Sequence, residues 1–214
     1  MNSEKRPTRK YELKQRAAEM AETRRRITEA AVQLHGTVGP SRTTVSAIAA
    51  LAGVQRHTVY RHFPTDADLY GACSAHYFAL NPLPAPAPWK AITDPRERLS
   101  RALDEVYAFY ERTNPMFDNV LRDLELVDAL APTIAPLDDY LGETVEILLA
   151  GRRVRGRRRQ LVATALRHVL DFHTWRSLTV DGQLTRAEAV ELVTPLVDVA
   201  ARAPSRSGKD RTSA

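Results

Sequence analysis

The sequence predicts an all-α chain in two parts, an N-terminal three-helix unit containing a helix-turn-helix and a larger C-terminal helical domain. Apolar residues recur every three or four positions, no stretch sustains the period-two alternation of a half-buried strand, and residues 43–69 hold two short helical patterns joined by a glycine. The 214 residues suffice for one large domain or two small ones, and a 43% hydrophobic content can bury a core.

Residues 1–18 read as a basic arm carrying Lys5, Arg6, Arg9, Lys10, Lys14 and Arg16. A solvated, disordered tail and a segment that enters a minor groove both fit that composition. The first core helix is expected from about Ala21 to His35, with Ile27, Ala30, Ala31 and Leu34 facing inward. Arg24, Arg25 and Arg26 sit near its start, where cations oppose the helix macrodipole. A phosphate close by would account for them, and so would a solvated charge run.

The next stretch is the most informative. Val45, Ile48, Ala49 and Ala52 follow Thr44, whose hydroxyl is suited to cap a helix of about two turns. Gly53 falls where the chain must turn with positive φ, and small Ala49 admits a close second helix. Val54 and Val59 supply that helix with its apolar side. Its other side carries Gln55, Arg56, His57, Thr58, Tyr60, Arg61 and His62, nearly all able to donate to phosphate oxygens or base edges. Phe63 is expected to pack, Pro64 to end the helix, and Thr65 with Asp68 to form a capping box for the next.

The run TTVSAIAALAGVQRHTVYRHFPTDADL resembles the DNA-binding domain of the tetracycline-repressor (TetR) family of bacterial transcription regulators, over roughly residues 22–72. Two positions depart from the pattern. Gln55 stands where the family usually has a serine N-cap, and Asp66 where a phosphate-contacting lysine is common. The resemblance implies a homodimer on a palindromic double-stranded DNA operator. Candidate DNA contacts are then Arg24, Arg25, Arg26, Thr43, Thr44, Gln55, Arg56, His57, Thr58, Tyr60, Arg61 and His62, with Arg56 and Tyr60 foremost because the N-terminal half of a recognition helix points outward.

A domain division at 19–66 and 67–203 is expected, with 204–214 a disordered tail. After a helix from about Asp66 to Leu80, the prolines of Asn81–Trp89 exclude a helix and suggest a stiff boundary. Helical patterns follow at about Pro95–Thr113, Pro115–Leu130, Pro136–Leu149, Arg157–Val180 and Thr185–Ala203. The last two carry more apolar surface than one chain can cover: Leu161, Val162, Leu166 and Val169 on one, Leu192, Val193, Leu196 and Val197 on the other. A two-fold dimer through these helices is the economical solution, as the resemblance also implies, and a fully intramolecular bundle is the alternative.

Tyr107, Tyr110, Met116, Phe117, Leu121, His168, Phe172 and Trp175 fall on segments that the family architecture places around a cavity. Singly each reads as core; together they suit an unidentified small apolar or aromatic effector. The rival reading keeps the DNA-binding half and discards the effector, leaving a constitutive regulator.

Charge supports the division of labour. Residues 1–65 hold twelve Lys and Arg against five Asp and Glu, residues 66–214 nineteen against twenty-one, so the basic excess lies at the proposed DNA-binding end. Cys73 is alone, which excludes an intrachain disulfide and fits a reducing compartment. With no apolar leader and no run of about eighteen apolar residues, a soluble, cytoplasmic protein without membrane partners is expected. No HExxH, GxSxG or phosphate-cradling glycine loop is present, and His168 and His173 do not share a helix face. Neither catalysis nor a cofactor or metal is expected. Six arginines between Arg152 and Arg159 fit a solvated loop, an anionic ligand or a second nucleic-acid contact.

Overall fold

In a computed structural model of the chain, residues 9–202 are described, and among them there is helix but no strand. The elements are α1 (Arg9–Thr37), a 3-10 turn (Pro40–Arg42), α2 (Val45–Ala52), α3 (Arg56–His62), α4 (Asp66–Leu80), α5 (Ala87–Lys90), α6 (Pro95–Asp123), a 3-10 turn (Asp128–Leu130), α7 (Ala131–Leu149), α8 (Gly156–Leu170), α9 (Phe172–Arg176), a π turn (Ser177–Asp181) and α10 (Arg186–Arg202). Two compact units divide them, Met1–Asn81 with Pro115–Thr133, and Pro82–Asn114 with Ile134–Ala214. The first unit therefore takes in α4 and the carboxyl end of α6, beyond the boundary expected at residue 66. No described helix is long and apolar enough to cross a membrane.

The first unit is built on the inward residues of four helices. Ile27, Ala30 and Ala31 of α1 meet Ile48, Ala49 and Ala52 of α2, Val59 of α3 with Phe63, and Leu69 and Cys73 of α4. Ile27, Ile48 and Val59 are almost wholly removed from water, each contributing roughly 1.5–3 kcal/mol of transfer free energy. Burial pushes the Cys73 thiol up to about 12, so it packs as a small apolar group without thiolate chemistry.

The expected arm of 1–18 is corrected in part: α1 begins at Arg9, twelve residues before the expected start, and residues 1–8 lie outside the described residues. The stretch Arg9–Met20 is mostly Lys, Arg, Glu, Gln, Leu and Ala, strong helix formers whose propensity extends the packed helix outward. The expected tail at 204–214 also lies outside the described residues.

The second unit corrects several boundaries. The two helices expected around Asn114-Pro115 are one, α6, with Pro115 inside it. A proline removes one backbone donor, and burial of Leu99, Leu103, Val106, Tyr107, Phe109 and Tyr110 along the preceding turns outweighs that loss. Likewise α7 starts at Ala131, because Pro132 falls in the first turn where the amide has no partner anyway. The helix expected over 157–180 is broken at Asp171. Its carboxylate accepts the His173 and Thr174 amides at 2.8 and 3.4 Å and so caps a new helix, α9. Within the proline-rich stretch one helical turn, α5, does form, and it buries Trp89, whose Nε1 donates to Glu105 at 3.1 Å.

The arginine cluster divides by role. Arg152 is a structural tie, donating to the Leu148 and Pro95 carbonyls at 3.0 Å each and pairing with Asp198. Arg159 pairs with Glu146, whereas Arg153 and Arg155 are exposed. Arg98 is a second buried tie, donating to Ile92, Ile147 and Ala150 carbonyls and so answering the free acceptors at the end of α7.

Candidate nucleic-acid interface

Local chemistry sets up the helix-turn-helix. The Thr44 hydroxyl accepts the Ala47 amide at 3.1 Å, capping α2, and Gly53 ends it at φ 65 in the left-handed region that only glycine enters without strain. The Val54 amide bonds back to Ala49 at 2.9 Å, closing the turn. Helix α3 then starts at Arg56, and Gln55 at its N-cap makes no side-chain cap, as its departure from the family serine implied. Phe63 ends it before Pro64, and Thr65 and Asp68 form the expected capping box, with the Asp68 carboxyl held below its ordinary range by hydrogen bonds from the Thr65 hydroxyl and amide.

Val59 and Phe63 anchor α3 in the core, and the opposite side faces solvent: Gln55, Arg56, His57, Tyr60 and Arg61 are exposed, with Tyr60 at 49%. Thr58 and His62 are half-buried. His62 Nε2 is buried without a partner, and burial, with Arg61 and Arg24 nearby, holds the ring below its ordinary value. The Nε2 edge of the ring therefore faces inward, away from the exposed side of α3.

The arginine triplet is not one feature but three. Arg24 donates to the His62 carbonyl and stacks over the Phe63 ring, so it fastens α1 to the end of α3. Arg25 is held between Glu22 and Glu29, which neutralise it within α1. Only Arg26 is exposed with no hydrogen bond or ion pair among the described residues. Thr43 is half-buried, its hydroxyl donating to the Gly39 carbonyl at 2.8 Å, while Thr44 is exposed and keeps its hydroxyl proton free to donate. Arg42, which the helical pattern does not single out, is an exposed cation two residues before the Thr44 cap. Its place ahead of a capped helix is the signal the sequence offers.

The expected effector residues are divided between the two units. Met116, Phe117 and Leu121 lie in the first unit, where Phe117 packs edge-on to Phe78 with ring centroids 6.4 Å apart. Tyr107, Tyr110, Phe172 and Trp175 lie in the second and are buried, with Tyr110, Phe172 and Trp175 in mutual contact at 5.4–5.8 Å. The tyrosine hydroxyls are already used: Tyr107 donates to Val169 and Tyr110 to Leu170, at 2.8 and 2.9 Å. His168 is exposed beside a surface groove that also includes Leu192 and Leu196. Among the described residues, Trp175 Nε1 and Asn114 Oδ1 are buried without hydrogen-bond partners, and no group of three or more acidic, His or Cys side chains could hold a metal ion.

A capped α2, a left-handed glycine turn and an α3 that buries one apolar edge while presenting donors on the other define a helix-turn-helix protein. Residues 27–73 match the family described as bacterial regulatory proteins, tetR family. The HTH-type transcriptional repressor BepR of Brucella suis biovar 1 (strain 1330) is 26% identical over 155 residues, 71% of this chain and 74% of that protein. Among solved structures, the TetR family transcriptional regulator PfmR from Thermus thermophilus superposes with a TM-score of 0.57 at 22% identity, covering 84% of this chain and 99% of that one. The fatty acid degradation regulator FadR from Bacillus halodurans gives 0.53 at 23% identity, covering 80% and 96%. The family match thus covers the helix-turn-helix unit, and the likeness of the longer chain to these regulators is one of fold.

Proposed function

We propose that the protein is a cytoplasmic repressor that binds a palindromic operator as a homodimer and leaves it when a small apolar or aromatic molecule binds within residues 67–203. The observation that carries the DNA reading is the split of α3 into a buried edge, Val59 with Phe63, and an exposed edge, Arg56 with Tyr60. Dimerisation is supported by Leu161 of α8 and Leu192, Leu196 and Val199 of α10, all exposed although Val162, Leu166, Val193 and Val197 bury the other faces of the same helices. An exposed aliphatic row of this kind is favourable to cover. A two-fold pairing would then set the two α3 helices about 34–36 Å apart, one turn of B-DNA.

The effector reading is supported by the Trp175 indole N–H, a buried donor without a partner in an aromatic cluster, since such groups normally find water or ligand. A constitutive regulator is the second reading, favoured by the Tyr107 and Tyr110 hydroxyls, whose protons are already donated to backbone carbonyls. Selection of duplexes from a random library, followed by binding titrations over salt, tests the common part. With Arg26, Arg42 and Arg61 of each protomer on phosphates, about six ion contacts per dimer give a log–log salt slope near −5. A slope near zero would refute DNA binding. Indole fluorescence titrated with a panel of apolar aromatic compounds separates the two readings, because only the first has Trp175 respond.

A further inference from the structure

The last turn of α6 grips the chain just before α2. Asp123 is fully buried, and its carboxylate accepts the Ser41 backbone amide at 2.9 Å. Arg122 donates to the same carboxylate through Nε at 2.9 Å and Nη2 at 3.2 Å, and through Nη1 to Asn119 Oδ1 at 2.8 Å. Asn119 in turn donates to the His35 carbonyl at 3.0 Å, so the end of α6 is tied both to the end of α1 and to the turn that leads into α2.

Gly39 shows how closely these parts fit. Its φ of 93 lies where side chains are strained, and a Cβ there would collide with Arg122 Nη2 and come within 2.6 Å of Asp123 Oδ2. The Arg122–Asp123 pair lies directly against the turn. A buried carboxylate is an expensive way to gain stability alone, because apolar residues of the same volume commonly do as well. What it supplies is direction: one backbone amide, two residues before Thr43 and three before the Thr44 cap, is bonded to one carboxylate.

We infer that Asp123 is a positioning residue that places the DNA-reading helices, the Ser41 bond making α2 and α3 follow the carboxyl end of α6. The inference rests on the DNA-binding reading above. Helix α6 runs unbroken from Pro95 in the second unit to Asp123 in the first, so a change in its last turn is delivered to Ser41, then Thr44, α2 and α3. Asp123 touches no base or phosphate in this role, which distinguishes it from Arg56 or Arg26.

The full chain as wild type, Asp123→Ala, Asp123→Asn and Gly39→Ala tests this by amide hydrogen exchange and by duplex titration over salt. Asp123→Ala should raise exchange at residues 41–48 about tenfold and weaken duplex binding about tenfold, the size of effect expected when a bond to a charged group is lost. The salt slope should stay that of the wild type, because no phosphate contact is removed. Asp123→Asn should recover most of both, since its amide oxygen still accepts the Ser41 N–H. Gly39→Ala should repeat the Asp123→Ala result from the other side of the contact, and it serves where the first variant does not fold. Wild-type affinity in Asp123→Ala, faster exchange with unaltered binding, or a shallower salt slope would each overturn the inference. A wild-type protein that binds no duplex at all overturns the DNA reading and this role with it, while the exchange data still report whether the Ser41 bond orders the turn.

Discussion

The Arg24 guanidinium lies 4.0 Å from the centroid of the Phe63 ring and donates to the His62 carbonyl. A cation is favourable at this place, where the last turn of α3 leaves acceptors unpaired and the macrodipole is negative. Arg24 thus belongs to the frame of the helix-turn-helix. Arg24→Ala should cost about 1–2 kcal/mol in urea unfolding, from the charged hydrogen bond and the ring contact. Arg24→Lys should recover little, because an ammonium cannot both stack and donate in a plane. The salt slope of DNA binding should not change. A slope shallower by about one with stability intact would return Arg24 to the phosphate contacts.

Arg56 and Tyr60 are exposed on the first turns of α3, where recognition helices reach base edges and phosphates respectively. Arg56→Ala should weaken the preferred duplex by about 1–3 kcal/mol per half-site and relax preference at one base pair. Tyr60→Phe should weaken all duplexes alike. Competition binding against single-base variants checks both, and a uniform loss from Arg56→Ala would remove it from base reading.

The parts of this molecule that are readable in its sequence are those governed by neighbours in the chain. The Thr44 cap, the Gly53 turn and the Thr65–Asp68 box each involve residues within four positions, and each is found. What the sequence hides depends on distant partners. Nothing near Arg24 announces Phe63, and nothing near Ser41 announces Asp123, 82 residues on. The inward turn of the His62 Nε2 edge is hidden because a helical pattern specifies a face, not how far a ring at its edge rotates. Pro115 reads as a helix end, since its local cost is visible and the packing that outweighs it is not. The aromatic set is recognisably apolar, yet the backbone carbonyls that engage its tyrosines come from α8.

His35 supplies a pH dependence. It is buried against Tyr70, with ring centroids 5.3 Å apart, and burial lowers it to about 4 although Asp123 pulls the other way. As pH falls through the ordinary value near 6.5, the unfolded chain takes up a proton that the folded chain refuses. Stability from this group is therefore complete above about pH 7, declines from 6.5 toward 4 by about 3 kcal/mol, and levels off below. His35→Phe keeps the ring and removes the titration. The stability difference between the variant and the wild type, measured by denaturant unfolding from pH 7.5 to 4, should move in favour of the variant by that amount. A difference independent of pH would show that His35 titrates normally.

Leu192 and Leu196 test the assembly. Both are about half exposed, on the side of α10 opposite Val193 and Val197, which are buried within the chain. A glutamate at Leu192 would therefore meet solvent in a monomer and cost it little, whereas in a pairing through α8 and α10 it would be an unpaired charge in an apolar contact, a penalty of several kcal/mol counted twice by symmetry. Leu192→Glu should leave thermal unfolding of dilute protein nearly unchanged and convert dimers to monomers in sedimentation at micromolar concentration. Operator binding should fall steeply in the same variant, since one α3 reaches a single half-site and the gain from tethering two is lost. A variant that remains dimeric would place the interface elsewhere, and a wild type already monomeric at that concentration would remove the two-fold geometry on which operator spacing depends.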